Sequence, residues 1–236
     1  MMKKRLVILG SGESGVGTAV LAKQKGYEVF VSDKGTIKEK YKKQLEQEAI
    51  VFEEGRHTED RILNATEVVK SPGIPENVDI VLKLKKRSVP VISEIEFAGR
   101  YTSAKKICIT GSNGKTTTTM LTYHILQKAG YNVGLGGNVG KSFAMQVARE
   151  QHDYYVLELS SFQLDGMFDF KADVSVLLNI TPDHLDRYDY NFDNYIASKF
   201  RIASNQGKDQ YFIYNADDDV MARYMKDHPV NATLIP

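Results

Sequence analysis

An α/β fold with parallel sheets is predicted for this chain of 236 residues. Short β-rich runs alternate with helical patterns along the whole chain, which is typical of parallel sheets with helices on both faces. Several strands are continuous apolar runs, such as residues 6–9 and 174–178, as expected for strands that are covered on both faces. Each half also opens with its own strand, glycine-rich loop and helix. We therefore expect a Rossmann-like N-terminal domain followed by a P-loop-type three-layer αβα domain.

Each element follows from a local pattern. Short runs of β-branched and aromatic residues predict strands, and apolar residues at helical spacing predict helices. The first half is predicted, in order, as strand 5–10, helix 15–25, strand 28–32, helix 37–48, strand 50–53, strand 66–70, helix 77–86 and strand 89–92. The second half is predicted as strand 106–110, helix 115–128, strand 131–134, helix 141–149, strand 153–158, strand 173–180, helix 192–203, strand 210–214 and helix 217–226.

Two domains are expected, residues 1–98 and residues 99–236. The boundary lies near residues 99–105, where a polar stretch separates the two patterns. Residues 232–236 look like a strand that has just begun. We therefore expect the chain to be a fragment that stops inside its second domain, which would then be truncated at its C-terminus.

Composition and charge exclude several classes of protein. The formal net charge is +1, so there is no electrostatic argument for binding nucleic acid or an anionic membrane. No apolar segment approaches transmembrane length. The one cysteine, Cys108, lies in a predicted buried strand; it excludes a disulfide within the chain and fits a reducing cytosol. We expect a cytoplasmic monomer that is not inserted in a membrane.

The most informative motif is the run from Thr110 to Thr119, between an apolar run and a helical pattern. A strand, a glycine-rich loop, Lys-Thr and a helix form the arrangement that cradles a nucleotide triphosphate. In such a loop Lys115 reaches the β- and γ-phosphates, and the Thr116 hydroxyl binds Mg²⁺. The strict P-loop pattern is not met, because its first glycine would fall at Ile109. This departure points away from the commonest P-loop families.

A second glycine-rich loop, residues 10–15, matches the dinucleotide fingerprint between a strand and a helix. Asp33 lies 18 residues beyond Gly15, where the fingerprint has its ribose-binding acid. Three interpretations stay open: an NAD or FAD site, a site for another nucleotide, or a turn that only lets the helix pack closely on the strand. The triphosphate loop favours ATP at one loop and a nucleotide-linked substrate at the other, and Glu13 adds like charge where a pyrophosphate would approach.

Polar residues also gather where later strands end, and in open α/β sheets ligands bind at the carboxyl ends of strands. Glu158 is placed there to hold Mg²⁺, since hard cations take oxygen ligands; a salt-bridged strand-end residue is the alternative. The loop at residues 136–140 is either a simple turn or part of the site. In the cluster at residues 179–188, His184 is either a ligand or a structural residue. Lys199, on an amphipathic helix, is interpreted from the residue pattern alone as a solvated lysine.

Taken together, these segments resemble the Mur ligases over nearly the whole chain. The segments that carry the resemblance are residues 110–117, Gly137 and Asn138, residues 158–164, residues 179–188 and Lys199. The family has a Rossmann-like domain for the UDP moiety, a central ATP-binding domain and a C-terminal amino-acid-binding domain. The resemblance implies that this chain contains the first and an incomplete second, lacks the third, and is inactive alone.

The resemblance also implies the roles of site residues. ATP would be held by Gly111, Ser112, Asn113, Gly114, Lys115, Thr116 and Thr117. Two Mg²⁺ ions would be held by Thr116, Glu158, His184 and Lys199, the last of these carbamylated. Catalytic roles would fall to Lys115, His184 and Lys199. The UDP-linked substrate would be held by Gly12, Glu13, Ser14, Gly15, Asp33, Gly73, Asn138, Ser160, Gln163 and His184. Lys34 and Gly35 depart from the family pattern and receive no role.

The activity implied by the resemblance is that of an ATP-dependent amide ligase in peptidoglycan synthesis, and hence in cell-wall biogenesis and cell division. Residues 158–164 and the turn at residues 71–75 look like the family member that adds D-glutamate to UDP-N-acetylmuramoyl-L-alanine through an acyl phosphate. Two alternatives stay open. One is another Mur or folylpolyglutamate-type amide ligase, and the other is a non-catalytic module that binds a UDP-sugar and a nucleotide.

Overall fold

The computed structural model describes residues 4–236, and the first three residues of the predicted N-terminal domain lie outside the described residues. The chain divides into two compact units. Unit 1 extends to Thr102 and includes Lys141–Gln151, whereas unit 2 comprises Ser103–Gly140 and His152–Pro236. A segment from within the predicted second domain therefore clusters with unit 1.

Strands and helices alternate through both units. In chain order they are β1 (Arg5–Leu9), α1 (Glu13–Gln24), β2 (Glu28–Ser32), α2 (Glu39–Gln47), β3 (Val51–Glu53), α3 (Glu59–Ile62), β4 (Glu67–Lys70), α4 (Asp79–Lys86), β5 (Val91–Ile92), α5 (Glu94–Gly99), β6 (Lys105–Thr110), α6 (Lys115–Lys128), β7 (Val133–Gly137), α7 (Phe143–Arg149), β8 (Tyr154–Glu158), α8 (Ser161–Leu164), β9 (Val174–Leu177), α9 (Phe192–Phe200), β10 (Tyr211–Tyr214), α10 (Asp219–Asp227) and β11 (Thr233–Ile235).

Unit 1 is built on a five-stranded sheet in the order β3-β2-β1-β4-β5, in which all the paired strands are parallel. The apolar run of β1 is fully buried, because helices cover both faces of a parallel sheet. The chain passes from β3 across to β4, on the other side of β1. Loops that follow β1 and β4 therefore diverge at the carboxyl edge and leave a crevice there.

Unit 2 is built on a six-stranded sheet in the order β11-β10-β9-β6-β8-β7, and its strand pairs are parallel as well. Strand β6 lies between β8 and β9. The segments that leave these three strands therefore meet at one carboxyl edge. Cys108 is buried in β6, as predicted.

The predicted α/β fold class is confirmed, and the elements that sequence patterns missed are short. Helices α3, α5 and α8 contain 4, 6 and 4 residues, too few for a helical period to show. Gly136 and Gly137 were expected in a loop, which is wrong, since they end strand β7. Gly137 has φ +95°, and a Cβ there would lie 2.1 Å from the Glu158 carbonyl oxygen, so only glycine lets β7 approach β8 this closely.

No helix within residues 4–236 combines the length and the apolar character that crossing a membrane requires.

A buried carboxyl group in unit 1 lies at the start of α7. Ser142 Oγ donates a hydrogen bond to Glu94 Oε1, and the Ala144 N–H donates to the same oxygen at 3.0 Å. Burial raises the pKa of Glu94 above its ordinary value of 4.5, although these hydrogen bonds act in the opposite direction. Gly17 of α1 makes room for this arrangement, because a Cβ there would lie 2.0 Å from Ser142 Oγ.

Replacing Glu94 by glutamine is expected to change how stability depends on pH. The folded-state pKa of Glu94 is raised, so its contribution is fully present below the unfolded pKa of 4.5 and is lost as pH rises through the folded-state pKa. The E94Q side chain cannot ionise. The free energy of unfolding of E94Q relative to wild type, measured in urea from pH 4.5 upward, should therefore rise with pH.

The matched control is Glu46→Gln, at an exposed position on α2. Its unfolding free energy should follow the wild-type pH dependence. An E94Q difference that stays constant with pH would contradict the assignment of a raised pKa to Glu94.

Candidate active site

The glycine-rich loop of unit 2 joins β6 to α6 and forms a cradle for an anion. Gly111 and Gly114 have φ +156° and +81°, and a Cβ on Gly111 would meet the Leu178 Cβ at 3.0 Å. Among the described residues, none accepts a hydrogen bond from the backbone N–H groups of residues 114–117. These donors lie at the positive end of the α6 dipole, an arrangement that suits an anion such as a phosphate group.

The segment that follows β9 holds this loop in place. The Ser112 N–H donates to the Asn179 carbonyl at 3.0 Å, and the Asn113 N–H donates to Asn179 Oδ1 at 2.8 Å. Asn179 Nδ2 in turn donates to the Asn113 carbonyl at 3.0 Å. Ser112 Oγ donates to the Thr181 carbonyl at 2.8 Å. Ser112 and Asn113, which are predicted to contact ATP, thus use their backbone N–H groups, the Ser112 hydroxyl and the Asn113 carbonyl to fix the loop.

Sequence reasoning placed Asn179 in a polar cluster but gave it no role. The signal that identifies it is its place just beyond β9, the strand that pairs with β6, because neighbouring strand ends meet at one sheet edge.

Two lysines converge on the same carbonyl of this loop. Lys115 Nζ and Lys199 Nζ each donate to the Gly111 carbonyl oxygen at 2.9 Å, and Lys199 Nζ also lies 3.2 Å from Thr110 Oγ1. Lys199 is only 2% exposed, so its interpretation as a solvated lysine is wrong. Burial and the neighbouring Lys115 charge lower the pKa of Lys199 to about 7. A large fraction of this amine is therefore uncharged and nucleophilic at neutral pH.

Glu158 ends β8 beside the loop and is 1% exposed. Asn138 Nδ2 donates to Glu158 Oε1 at 2.7 Å, while Glu158 Oε2 has no hydrogen-bond partner within residues 4–236. A buried polar atom without a partner is costly, and a carboxylate oxygen is a favourable ligand for a hard divalent cation. The Thr116 hydroxyl lies in the exposed first turn of α6.

A magnesium ion fits the residue types at this edge, because the orphaned Glu158 oxygen and a threonine hydroxyl are both oxygen donors. Within the described part of the chain, no group of three or more His, Cys, Asp or Glu gathers at any one place to hold a metal.

His184 lies on an exposed loop. Its backbone has φ +49°, and its side chain is 55% exposed. Its Nε2 lies 3.5 Å from Asp183 Oδ2, and its ring centroid lies 5.2 Å from that of Phe162. The described structure shows no contact of His184 with Lys115, Lys199 or Glu158. The predicted site residues of unit 2 are therefore only partly brought together.

Ser160 and Gln163 form a capping box at the start of α8. Gln163 Oε1 accepts from the Ser160 N–H at 3.0 Å, and the Gln163 N–H lies 3.4 Å from Ser160 Oγ. The spacing Ser-x-x-Gln is a sequence signal for this motif, which the prediction of substrate contacts overlooked. Both side chains are thus already engaged in ordering the segment that follows Glu158.

A cavity of about 560 Å³ opens at the carboxyl edge of unit 1. Its lining comes from loops after β1, β2, β3 and β4 and includes three glycines, the predicted Asp33 and Gly73, and several residues that the sequence did not single out. The lining residues are Gly10, Asp33, Lys34, Gly55, Arg56, His57, Glu59, Gly73, Ile74, Pro75, Val78, Asp79 and Ile80. Lys34, which had received no role, belongs to this lining.

Asp33 holds its own loop. Its Oδ2 accepts from the Ser11 N–H at 2.7 Å and from Ser11 Oγ at 2.6 Å, and its Oδ1 accepts from the Gly35 N–H at 2.8 Å. Burial alone would raise the pKa of Asp33, but these hydrogen bonds outweigh it and lower the pKa. A ribose hydroxyl that bound Asp33 would have to share carboxylate oxygens that already accept hydrogen bonds from Ser11 and Gly35.

The predicted residues 12–15 form the start of α1, with Gly12 as its N-cap. Gly15 is required for packing, since a Cβ there would lie 2.0 Å from the Gly10 carbonyl oxygen. Glu13 Oε2 accepts from the Tyr41 hydroxyl at 3.0 Å. One of the three interpretations of the glycine fingerprint, that it lets the helix pack closely on the strand, therefore applies to Gly15. This packing does not fill the neighbouring cavity, which has room for a nucleotide.

Fold and site together define an α/β protein with two glycine-rich loops that each join a strand to a helix, one of them flanked by two lysines and a carboxylate. Comparison with known families identifies the class more closely. A family profile described as Mur ligase middle domain matches residues 109–235, and one described as MurD N-terminal domain matches residues 5–80. The chain belongs to the Mur ligase family.

Individual relatives agree with this assignment. The chain is 62% identical over 233 residues to the UDP-N-acetylmuramoylalanine--D-glutamate ligase of Bacteroides fragilis, with 99% of this chain and 52% of the relative covered. It is 59% identical over 237 residues to the protein of the same name from Cytophaga hutchinsonii, with 100% of this chain and 53% of the relative covered. The chain thus spans about half the length of the curated relatives it matches.

A solved structure shares the fold. The UDP-N-acetylmuramate:L-alanyl-gamma-D-glutamyl-meso-diaminopimelate ligase from Neisseria meningitides superposes with a TM-score of 0.66 at 20% identity, with 98% of this chain and 77% of that chain covered.

Replacing Asn179 by alanine is expected to loosen the phosphate loop. The variant removes the acceptor of the Asn113 N–H and the donor to the Asn113 carbonyl. Two hydrogen bonds at about 1 kcal/mol each predict a loss of about tenfold or more in affinity for a nucleotide triphosphate. Calorimetric titration of the variant with ATP measures this loss.

Asn205→Ala is the matched control, because Asn205 also donates to two backbone carbonyls, at Phe168 and Phe170, but contacts no residue of the loop. Equal affinity losses in both variants would show that Asn179 acts through general stability alone.

Proposed function

We propose that the protein is an ATP-dependent ligase that adds D-glutamate to UDP-N-acetylmuramoyl-L-alanine in the synthesis of peptidoglycan. The relatives that share its sequence carry the name of that activity. The observation that carries the proposal is a phosphate cradle with free amides, against which Lys115, the buried Lys199 and the orphaned Glu158 oxygen are gathered. Region 1–98 binds the UDP moiety, and region 99–236 binds ATP.

ATP binds at residues 111–117 in this proposal. The unpaired N–H groups of residues 114–117 face the phosphate oxygens at the start of α6. Lys115 leaves the Gly111 and Ser112 carbonyls, which it contacts at 2.9 and 2.8 Å, and neutralises charge on the γ-phosphoryl group. Neutralisation matters because the attacking carboxylate and the triphosphate are both anions.

Thr116 and Glu158 would hold one Mg²⁺, and His184 and Lys199 would hold a second. Such ions would screen the negative charges and polarise the phosphoryl oxygens. Lys199 serves as a ligand after carbamylation, in which its neutral amine adds to CO₂ and loses a proton. The burial of Lys199 and its lowered pKa of about 7 support this role, since only the uncharged amine reacts.

The reaction then proceeds in two displacement steps. The alanyl carboxylate of the substrate attacks the γ-phosphorus of ATP, and ADP leaves, which gives an acyl phosphate. The amine of D-glutamate attacks the acyl carbon through a tetrahedral intermediate, and the amide forms as inorganic phosphate departs and the amine loses a proton. Lys115 stabilises the transferred phosphoryl group in the first step by its charge.

In this proposal, separate groups of residues bind the two parts of the UDP-linked substrate. Residues 12–15, Asp33 and Gly73 hold the UDP moiety, and Asp33 and Gly73 line the cavity of unit 1. Asn138, Ser160, Gln163 and His184 contact the muramoyl-alanine part. Asn138 already touches the Glu158 carboxylate, so it can position the substrate carboxylate beside the cation site. The protein acts in the cytoplasm as a monomer.

The proposed activity predicts phosphate release from ATP that requires both UDP-N-acetylmuramoyl-L-alanine and D-glutamate. The assay uses the protein in its full natural length. Glu158→Gln should lower kcat by about 100-fold or more, because an uncharged amide is a poor ligand for Mg²⁺. The control Asp209→Asn changes an exposed residue of unit 2 and should leave kcat unchanged.

Release that needs a different amino acid would point to another amide ligase. Tight binding of both nucleotides without any release would point to a binding module. Either result contradicts the proposed reaction.

Carbamylation of Lys199 predicts a carbamate carbon signal in the ¹³C NMR spectrum of protein equilibrated with ¹³C-bicarbonate. The signal should be absent from Lys199→Ala and retained in Lys208→Ala, an exposed lysine of the same unit. A spectrum without the signal at neutral and mildly alkaline pH would remove Lys199 from the set of metal ligands.

A further inference from the structure

A buried hydrogen-bond chain in unit 1 ends at the cavity described above. Ser32 Oγ lies 2.7 Å from Glu53 Oε1 and 2.7 Å from His57 Nδ1. His57 lines the cavity, and no residue of the described chain bonds to its other nitrogen, Nε2. One end of the imidazole is thus anchored in the protein, and the other end is available to a ligand.

Glu53 sets the direction of the hydrogen bonds in this chain. Burial alone would raise the pKa of Glu53, but hydrogen bonds from Thr58 and Ser32 lower it. The Thr58 N–H and hydroxyl donate to this carboxylate at 2.8 and 2.6 Å. Glu53 is therefore ionised and can only accept hydrogen bonds.

The tautomer of His57 follows from this direction. Ser32 has one hydroxyl proton and donates it in the hydrogen bond to Glu53 Oε1. Ser32 Oγ can therefore only accept a hydrogen bond from His57. His57 Nδ1 must then carry its proton. Burial lowers the pKa of His57, which keeps the ring neutral, and in a neutral imidazole with a protonated Nδ1 the Nε2 atom is a bare acceptor.

The rest of the lining suits a flat heterocycle. Ile74, Pro75, Val78 and Ile80 supply apolar walls. At Gly73, no atom lies within 4 Å of the place where a Cβ would stand, so the backbone there is open to close approach. Mostly apolar walls with a few fixed polar atoms are the usual arrangement in a small-molecule site. The single lone pair of His57 Nε2 then selects what such a ring presents at its edge.

We propose that His57 Nε2 accepts a hydrogen bond from the ring N–H of a pyrimidine with an imide edge, and that His57 thereby selects uracil over cytosine; this inference rests on the proposed function in taking the ligand as a UDP-linked substrate. Uracil carries a proton on N3. The corresponding nitrogen of cytosine carries a lone pair, which would face the lone pair of His57 Nε2. A site with a fixed acceptor discriminates against a ligand that lacks the matching donor, because the acceptor is then left without a partner in the complex.

NMR tests the tautomer without any ligand. Two-dimensional ¹⁵N–¹H spectra of the histidine rings distinguish protonated from bare nitrogens, and comparison with His57→Asn assigns the resonances. The expected result is a protonated Nδ1 and a bare Nε2. A protonated Nε2 in the free protein overturns the inference.

Binding of UDP and CDP tests the selectivity. Wild-type protein should bind UDP more tightly than CDP by about tenfold or more. His57→Asn can place an amide donor near the position of Nδ1, but it has no atom at the position of Nε2 and so lacks that acceptor. Its UDP-to-CDP ratio should fall to about one, whereas Asp60→Asn, at an exposed position outside the cavity lining, should keep the wild-type ratio.

Ser32→Ala tests the effect of the His57 tautomer separately from the effect of removing the imidazole ring. It leaves His57 in place but removes the group that holds the proton on Nδ1, so its UDP-to-CDP ratio should fall between those of wild type and His57→Asn. Equal binding of UDP and CDP to wild type would show that a ribose hydroxyl or nothing meets Nε2, and it overturns the inference alone. Absence of any UDP binding overturns this inference and the proposed function together.

Discussion

The Gly111 carbonyl oxygen receives two lysine side chains at 2.9 Å, and the candidate site of unit 2 depends on that arrangement. One carbonyl dipole cannot balance two full charges in a buried place. The protein responds by lowering the pKa of Lys199 to about 7, so that one of the two amines is close to losing its proton. A triphosphate on the neighbouring amides would remove this conflict, because it supplies the negative charge that the free site lacks. In the proposed function, triphosphate binding and the protonation of Lys199 would therefore be coupled.

The sheet order explains why these groups meet. Strand β6 lies between β8 and β9, so the phosphate loop is flanked by Glu158 on one side and by Asn179 on the other. Asn179 fixes the loop through side-chain hydrogen bonds in both directions. Glu158 keeps one oxygen for an external ligand. Asn179 and Glu158 thus have different roles, one fixing the loop and the other keeping a free acceptor. Both reach the loop because neighbouring parallel strands end at the same edge of the sheet.

Much of this architecture could be predicted from the sequence, and the failures have physical causes. Apolar runs and periodicity predicted the strands and the long helices, because those patterns are local. The burial of Lys199 was not predictable in this way, since a lysine on an amphipathic helix is usually solvated and only tertiary packing places it against Thr110. The capping box of Ser160 and Gln163 was visible in the sequence and was overlooked. Asn179 and His57 needed the strand order, which fixes what their side chains meet.

The two glycine-rich loops show why one sequence pattern supports different chemistry. In unit 1 the fingerprint acid, Asp33, accepts from Ser11 and Gly35 and so stabilises the loop around it. In unit 2 the corresponding place is filled by neutral Asn179, which leaves the amides of residues 114–117 and the nearby cations to determine the charge of the ligand. A carboxylate beside the first loop would repel phosphate and would suit the uncharged end of a nucleotide. The proposed function therefore assigns a nucleoside to the loop of unit 1 and a triphosphate to the loop of unit 2, and the two loops differ in the charge of the residue that holds them.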